Sequence, residues 1–108
     1  MSRFSDVTTM LKSLPLTVCE FDHVKIGTKV PFGEYTFSED TFSGDNKVLV
    51  KLYTVTLMIY TAKLDAKLDA AIEKALADNE LSWRRSVPEW MEDSSMYGIE
   101  YTFQFLDD

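Results

Sequence analysis

The chain has 108 residues, of which 45% are hydrophobic, and it contains seven Phe, five Tyr and two Trp. This composition excludes a disordered chain and predicts a single domain over residues 1–108 with one hydrophobic core. The formal net charge of −7 opposes adhesion to nucleic-acid phosphates or anionic membranes, since the strongest basic cluster is Arg84-Arg85. No apolar run approaches the roughly 20 residues of a membrane-spanning helix.

The beginning of the chain and its cysteine content indicate a reducing cytosol. Residues 1–6 lack the basic-then-apolar layout of a secretory signal. Cys19 is the only cysteine, so an internal disulfide is excluded. We therefore expect a protein made and folded in the cytoplasm.

The first predicted element is a short N-terminal helix. Its apolar residues recur at helical spacing: Phe4, Val7, Met10 or Leu11, and Leu14. Pro15 disfavours helical backbone at the residue before it, so the helix should end near Ser13. The segment from Leu16 to Phe21 then alternates apolar and polar residues and predicts a short strand.

A second short strand is predicted around Tyr35 and Phe37, and a long polar loop follows it. The loop runs from Ser38 to Lys47 and is rich in residues that favour turns. Phe42 is a large apolar residue in its middle, which either folds back onto its own domain or is reserved for a partner. We expect this loop to be mobile and to become ordered on contact with a partner.

The stretch from Val48 to Asn79 predicts a long central strand followed by an amphipathic helix. In the strand, Tyr53, Val55, Leu57 and Ile59 share one face. In the helix, the apolar residues Leu68, Ala71, Ile72, Ala75 and Leu76 recur at helical spacing. Asp65 is the expected N-cap, and Asn79 favours a left-handed stop at the other end.

The remaining residues predict two more strands. One runs from Leu81 to Val87 and is ended by Pro88, and Trp90 and Met91 follow in a loop. The other runs from Tyr97 to Phe105 and has the clearest alternating pattern in the chain. The chain is therefore predicted to be an α+β fold in the order α-β-β-β-α-β-β, with a mainly antiparallel sheet of four or five strands and two helices packed on one face.

The residue types that carry catalysis are scarce. His23 is the only histidine in the chain. No second histidine is therefore available to deprotonate the thiol of Cys19. Asp65 and Asp69 lie one helical turn apart without His or Cys nearby, which is typical of a cap and a surface charge. The four glycines are too scattered for a phosphate-binding loop. We therefore expect no enzyme activity and no catalytic, cofactor-binding or metal-binding residues.

The chain contains more aromatic residues than are needed to fill a small core with two helices that carry few large side chains. Aromatic side chains are enriched at protein interfaces because they bury large areas at small entropic cost. Some of them are therefore expected at a contact with a partner, although an ordinary core with a few exposed rings accounts equally well for any single one. The candidate contact residues are Phe32, Phe42, Asp45, Asn46, Lys47 and Trp90.

Several segments, in this order along the chain, resemble the small tail-completion and tail-terminator proteins of long-tailed bacteriophages and prophages. The segments are Leu14-Pro15-Leu16-Thr17, Gly27 with Pro31-Phe32 and Tyr35, Asp45-Asn46-Lys47, Tyr60-Thr61, Trp83, Met96-Tyr97 and Tyr101-Thr102-Phe103. The resemblance covers nearly the whole chain and brings no catalytic residues with it.

This resemblance implies a protein of the virion neck, made in the cytoplasm of a bacterial host. Proteins of this kind assemble as hexameric rings that cap the tail tube, contact the head connector and let the genome pass through the channel. An acidic subunit suits a pore that DNA crosses without binding specifically. The sequence leaves two alternatives open: another neck component, such as a head-closure protein, and a small cytosolic domain that binds a ligand or a protein.

Overall fold

The computed structural model describes residues 3–21, 29–43 and 49–107, apart from the side chains of residues 42, 43 and 49. The elements, in chain order, are α1 (Arg3–Lys12), β1 (Thr17–Glu20), β2 (Phe32–Ser43), β3 (Leu49–Thr61), α2 (Ala66–Asp78), β4 (Trp83–Arg85), β5 (Glu89–Met91) and β6 (Met96–Asp107).

The strands form a six-stranded sheet in the order β1-β2-β3-β6-β4, and β5 pairs with β6 as well. β1 runs parallel to β2, and every other pair is antiparallel. The predicted α+β class, the mainly antiparallel sheet and the central position of β3 are therefore confirmed.

Both helices pack on one face of this sheet, which we call the helix face. The alternation of β3 and β6 places every second residue on this face, including Val55, Leu57, Ile59 and Phe103. The buried helix residues that meet them are Val7, Met10 and Leu11 of α1 and Leu68, Ile72 and Leu76 of α2. The two helices and the two long strands thus share one core.

Much of the aromatic content lies inside this core. The ring of Phe4 lies 4.6 Å from that of Phe37, 5.0 Å from that of Tyr53 and 6.5 Å from that of Phe105. Tyr35 meets Phe37 edge to face at 5.4 Å. Aromatic pairs at these separations attract each other in addition to the area they bury. The cluster closes the core between α1 and the end of β6.

The ends of α2 follow from its capping residues. The carboxylate of Asp65 accepts a hydrogen bond from the backbone N–H of Leu68 at 3.0 Å, which confirms the predicted N-cap. At the other end Asn79 has φ −97°, and the positive φ of 59° belongs to Glu80. The left-handed stop was therefore predicted one residue too early. The backbone N–H of Leu81 then donates to Leu76 at 2.9 Å and ends the helix.

β2 is much longer than the short strand predicted around Tyr35 and Phe37. It pairs with β3 along its whole length, from Phe32 opposite Tyr60 to Ser43 opposite Leu49. The prediction that residues from Ser38 onward form a loop is therefore wrong as far as Ser43. Polar residues persist in this part of the strand because the register with β3 holds the backbone, while the side chains from Ser38 to Thr41 are exposed.

The segment around Trp90 and Met91 was predicted as a loop, but it forms β5, so the sheet has six strands and not the predicted four or five. Along β6, Arg85 pairs with Tyr101, while Glu89 pairs with Gly98. Three residues therefore separate Arg85 from Glu89, whereas only two separate Gly98 from Tyr101 on β6. Val87 and Pro88 together lie opposite Ile99. This is the arrangement of a β-bulge, and Pro88 suits it because proline has no N–H to donate to a ladder.

Candidate interaction surface

The sheet face away from the helices, which we call the open face, has no described helix packed on it. Its middle is polar and carries Thr36, Thr54, Thr56, Thr102 and Gln104. The amide of Gln104 donates to the hydroxyl of Thr54 at 2.9 Å. Antiparallel sheets commonly leave one face to solvent, and this central region has the expected polar composition.

One end of the open face is apolar, and we call it the Gly98 patch. Its members are Phe32, Met58, Tyr60, Met91, Met96 and Gly98. The rings of Phe32 and Tyr60 lie 4.9 Å apart. A β-carbon on Gly98 would lie 3.4 Å from Cε of Met91 and 3.7 Å from Cε of Met58. Gly98 is therefore buried beneath the ends of these side chains, and the flexible methionines among them adapt easily to a partner surface.

Carboxylates frame the Gly98 patch. Glu34 and Glu100 flank Met58 in one row across the sheet, and Glu89 pairs with Gly98 in the next. Burial, and then the neighbouring Glu34 carboxylate, raise the pKa of Tyr60 to about 12. An apolar centre with an acidic rim complements a partner surface that presents an apolar side chain flanked by Lys or Arg.

The structure places the predicted contact residues on different surfaces. Phe32 belongs to the Gly98 patch, whereas Trp90 lies on the helix-face side, where its ring meets that of Tyr97 at 4.9 Å. Trp90 is 46% exposed, so much of its surface remains available for contact. The backbone of Phe42 lies in β2, and its side chain lies outside the described residues, as do Asp45, Asn46 and Lys47.

Among the described residues, those considered for catalysis or metal binding form no reactive cluster. His23 lies outside the described residues, and Cys19 is a free, half-buried thiol in β1. In the described ranges no three His, Cys, Asp or Glu side chains gather as metal ligands would. Neither of the two described helices has the length and apolar content of a membrane span.

A polar network between α2 and the sheet was not predicted. Arg85 donates to Asp69 at 2.8 Å and to the hydroxyl of Tyr101 at 3.3 Å, and that hydroxyl donates to Glu73 at 3.0 Å. Burial and the nearby acids raise the pKa of Tyr101 above its usual value despite the opposing effect of Arg85. The spacing of Asp69 and Glu73, one turn apart on one helix side, was the available signal. The network positions α2 and carries no obvious chemistry.

A cleft of about 580 Å³ lies beside β4, lined by Ser82, Trp83, Arg84, Thr102, Phe103 and Gln104. It lies where β4 begins and the outer edge of β6 loses its neighbour. No titratable cluster lines it, because Arg84 is the only charged residue among these six. The cleft is therefore better described as a surface groove at the sheet edge than as a reaction site.

No family model and no curated protein matches this sequence. Among solved structures, a chain of the "Virion of native gene transfer agent (GTA) particle" is similar in fold, with a TM-score of 0.58. The two chains are 13% identical, and the match covers 98% of this chain and 91% of that chain. At this identity the similarity shows a common fold over nearly the whole length of both chains.

Proposed function

We propose that this protein is a structural component of a phage-like virion that acts at the neck. It completes or caps the tail tube as a ring and joins the tube to the head connector. The observation that carries this proposal is the match in fold, over 98% of the chain, to a chain of a gene transfer agent virion. The resemblance of its sequence segments to tail-completion proteins supports the same role.

The surfaces of the protein fit a role based on contact. A subunit of a ring between two other structures needs several separate contact surfaces. The Gly98 patch on the open face and the exposed Trp90 with Tyr97 on the other side provide two candidates. Both surfaces lie at the same end of β6, and we assign them to contact with the tail tube protein or the head connector protein at that end of the ring.

The charge of the protein fits a channel that DNA crosses. The net charge is −7, and an acidic ring repels the phosphate backbone instead of retaining it. DNA therefore passes through without being bound at a specific site. The assembled ring lies in the virion, while the subunit is made in the cytoplasm of the bacterial host.

Electron microscopy of particles produced without this protein tests the proposal. Overlong tails, or tails without heads, are the expected result, and the normal chain supplied in trans should restore joined particles. Filled heads that leak their DNA would move the assignment from tail completion to head closure within the neck. Particles of normal morphology and infectivity would overturn the proposal and favour a small cytosolic binding domain.

A further inference from the structure

The two edges of the sheet differ in how much of the outer strand lacks a neighbouring strand. On one side β1 covers β2 only from Phe32 to Tyr35, and β2 continues to Ser43. Within the described ranges no strand pairs with the outer edge of β2 beyond that point. On the other side β4 is the edge strand, and it is followed by the bulge at Val87 and Pro88. A long uncovered edge is a template for pairing with another strand.

The backbone groups available at each edge can be assigned from two hydrogen bonds. The N–H of Phe21 donates to the carbonyl of Tyr35 at 2.9 Å, so alternate residues from Tyr35 onward direct their backbone groups outward, including Glu39 and Thr41. The N–H of Ser86 donates inward to Glu100 at 2.9 Å. Trp83 and Arg85 therefore direct theirs outward from β4.

The strand directions are also compatible. β2 is antiparallel to β3, β3 to β6, and β6 to β4, so β2 and β4 run in opposite directions. Copies arranged side by side around an axis along the strands would therefore bring β2 of one copy antiparallel to β4 of the next. This is a head-to-tail contact, which closes into a ring when the rotation between copies allows it.

The charges of the two edges are complementary. β2 carries Glu39 and Asp40 in its uncovered part, and β4 carries Arg84 and Arg85. Asp40 and Arg84 are both exposed and both lie on the open face, at opposite edges of the sheet. Glu39 and Arg85 both lie on the helix face, where Glu39 contacts Lys51 at 3.5 Å and Arg85 is bound to Asp69 at 2.8 Å, so this pair adds less than the open-face pair. Matching faces and matching backbone phase place both pairs in a single register.

We propose that the uncovered edge of β2 pairs antiparallel with β4 of a second copy, with Glu39 opposite Arg85 and Asp40 opposite Arg84. This contact rests on the proposed ring and supplies its subunit boundary. It makes the sheet continuous from one copy to the next, with Thr41 opposite Trp83. Opposite charges placed directly across a strand pair stabilise it, and like charges destabilise it.

The same charges disfavour pairing of β2 with β2 of another copy. An antiparallel pair centred on Glu39 would place Glu39 opposite Glu39 of the other copy, and a pair centred on Asp40 would place Asp40 opposite Asp40. The head-to-tail register has no such conflict. The bulge at Val87 and Pro88 falls next to Phe37 and Thr36 of the neighbour, where β1 begins to cover β2. A bulge bends its strand and increases the local twist, so the proposed contact ends at Val87 and Pro88.

Charge reversal at the open-face pair tests the contact. Asp40→Arg and Arg84→Asp should each weaken self-association by at least about tenfold, measured by sedimentation velocity at high protein concentration. The double variant should recover it, because the pair is restored with reversed signs. An equimolar mixture of the two single variants should also assemble, since each then offers the edges that the other needs. Failure of both recoveries would overturn the proposal.

Disulfide trapping tests the register independently. In a Cys19→Ser background, Asp40→Cys with Arg84→Cys should yield a ladder of linked multimers on oxidation, because these residues form a closely spaced pair that is not hydrogen-bonded. The matched control is Asp40→Cys with Ser86→Cys, which lies two residues out of register and should remain monomeric. A ladder of equal strength in the control, no ladder in either, or efficient dimers from Asp40→Cys alone would each overturn the register.

These measurements are made on the purified protein and do not depend on particle morphology. Suppose that the Asp40→Cys, Arg84→Cys variant forms a ladder, while particles produced without the protein look normal. The edge contact would then be retained and the neck role would be removed. Defective particles without any ladder would retain the neck role and remove this contact. The two proposals therefore fail separately.

Discussion

The hydroxyl of Tyr101 in β6 donates a hydrogen bond to the carboxylate of Glu73 in α2 at 3.0 Å. The same hydroxyl accepts from Nε of Arg85 at 3.3 Å, so it joins the helix to two neighbouring strands. Tyr101 is fully buried, whereas the charged groups around it reach solvent. This oxygen atom therefore adds a polar link between α2 and the sheet to the apolar packing of the helix.

Tyr101→Phe should therefore lower the free energy of unfolding by about 1–2 kcal/mol, because it removes the hydroxyl and leaves Glu73 and Arg85 with fewer partners. Urea denaturation measures the change. Tyr97→Phe on the same strand is the matched control, since its hydroxyl has no hydrogen-bond partner among the described residues, and it should change stability much less. Equal effects of the two substitutions would contradict this role of Tyr101.

The raised pKa of Tyr60 predicts a loss of stability in alkali. Its pKa is about 12 in the folded protein and about 10 in the unfolded chain, so the folded state holds the proton more tightly. The contribution is complete below pH 10 and is lost as the pH rises from 10 towards 12. The stability difference between the wild type and Tyr60→Phe should follow this course.

Glu34→Gln is the companion variant for Tyr60, because it removes the carboxylate that opposes ionisation of the phenol. The pKa of Tyr60 should fall towards its ordinary value in this variant, as measured by phenolate absorbance. Part of the elevation should remain, since burial is the larger cause. A titration unchanged by this substitution would leave burial as the sole cause.

The two described glycines in strands should respond differently to alanine. A β-carbon on Gly33 would lie 3.1 Å from Cδ1 of Ile59 and 3.4 Å from the carbonyl of Met58. Gly33→Ala should therefore cost about 1–2 kcal/mol through overpacking. A β-carbon on Gly98 finds ordinary contact distances, so Gly98→Ala should be neutral within about 0.5 kcal/mol. Thermal unfolding of both variants decides, and the reverse order would contradict the packing argument.

The contact surfaces should respond to loss of a single ring. Phe32→Ala in the Gly98 patch and Trp90→Ala on the opposite side should each reduce the fraction of heads joined to tails, measured by electron microscopy. Leu64→Ala is the control, because Leu64 is 59% exposed but belongs to neither surface. Circular dichroism establishes that each variant is folded. Normal joining by a folded Phe32→Ala protein would remove the Gly98 patch from the contact.

The sequence predicts those elements in which the buried side chains all lie on one face. The alternation of β6 and the cap at Asp65 identify their elements directly, because burial and capping depend on local sequence. The candidate contact residues were predicted as individual exposed aromatics and charges. Their grouping was not predictable, because Phe32 and Met91 meet on one patch only through the pairing of four strands.

The outer part of β2 was mistaken for a loop for a physical reason. Its residues from Ser38 to Thr41 are exposed, so no hydrophobic pattern marks them as a strand. What keeps them extended is the ladder with β3, which the local sequence does not encode. The edge proposed here for self-association was for the same reason invisible until the register was known.

The extra residue at Val87 and Pro88 is one that this strand can lose. Residues opposite each other in paired strands share a face, so Trp90 stays on the face of Tyr97 and Met91 on that of Met96 while β5 keeps its register with β6. A deletion of one bulge residue would leave a single residue opposite Ile99 and restore regular alternation from Arg85 to Met91. A deletion of both would bring Glu89 opposite Ile99 and move Trp90 to the open face. We therefore expect natural length variants of this segment to lack one residue here and not two.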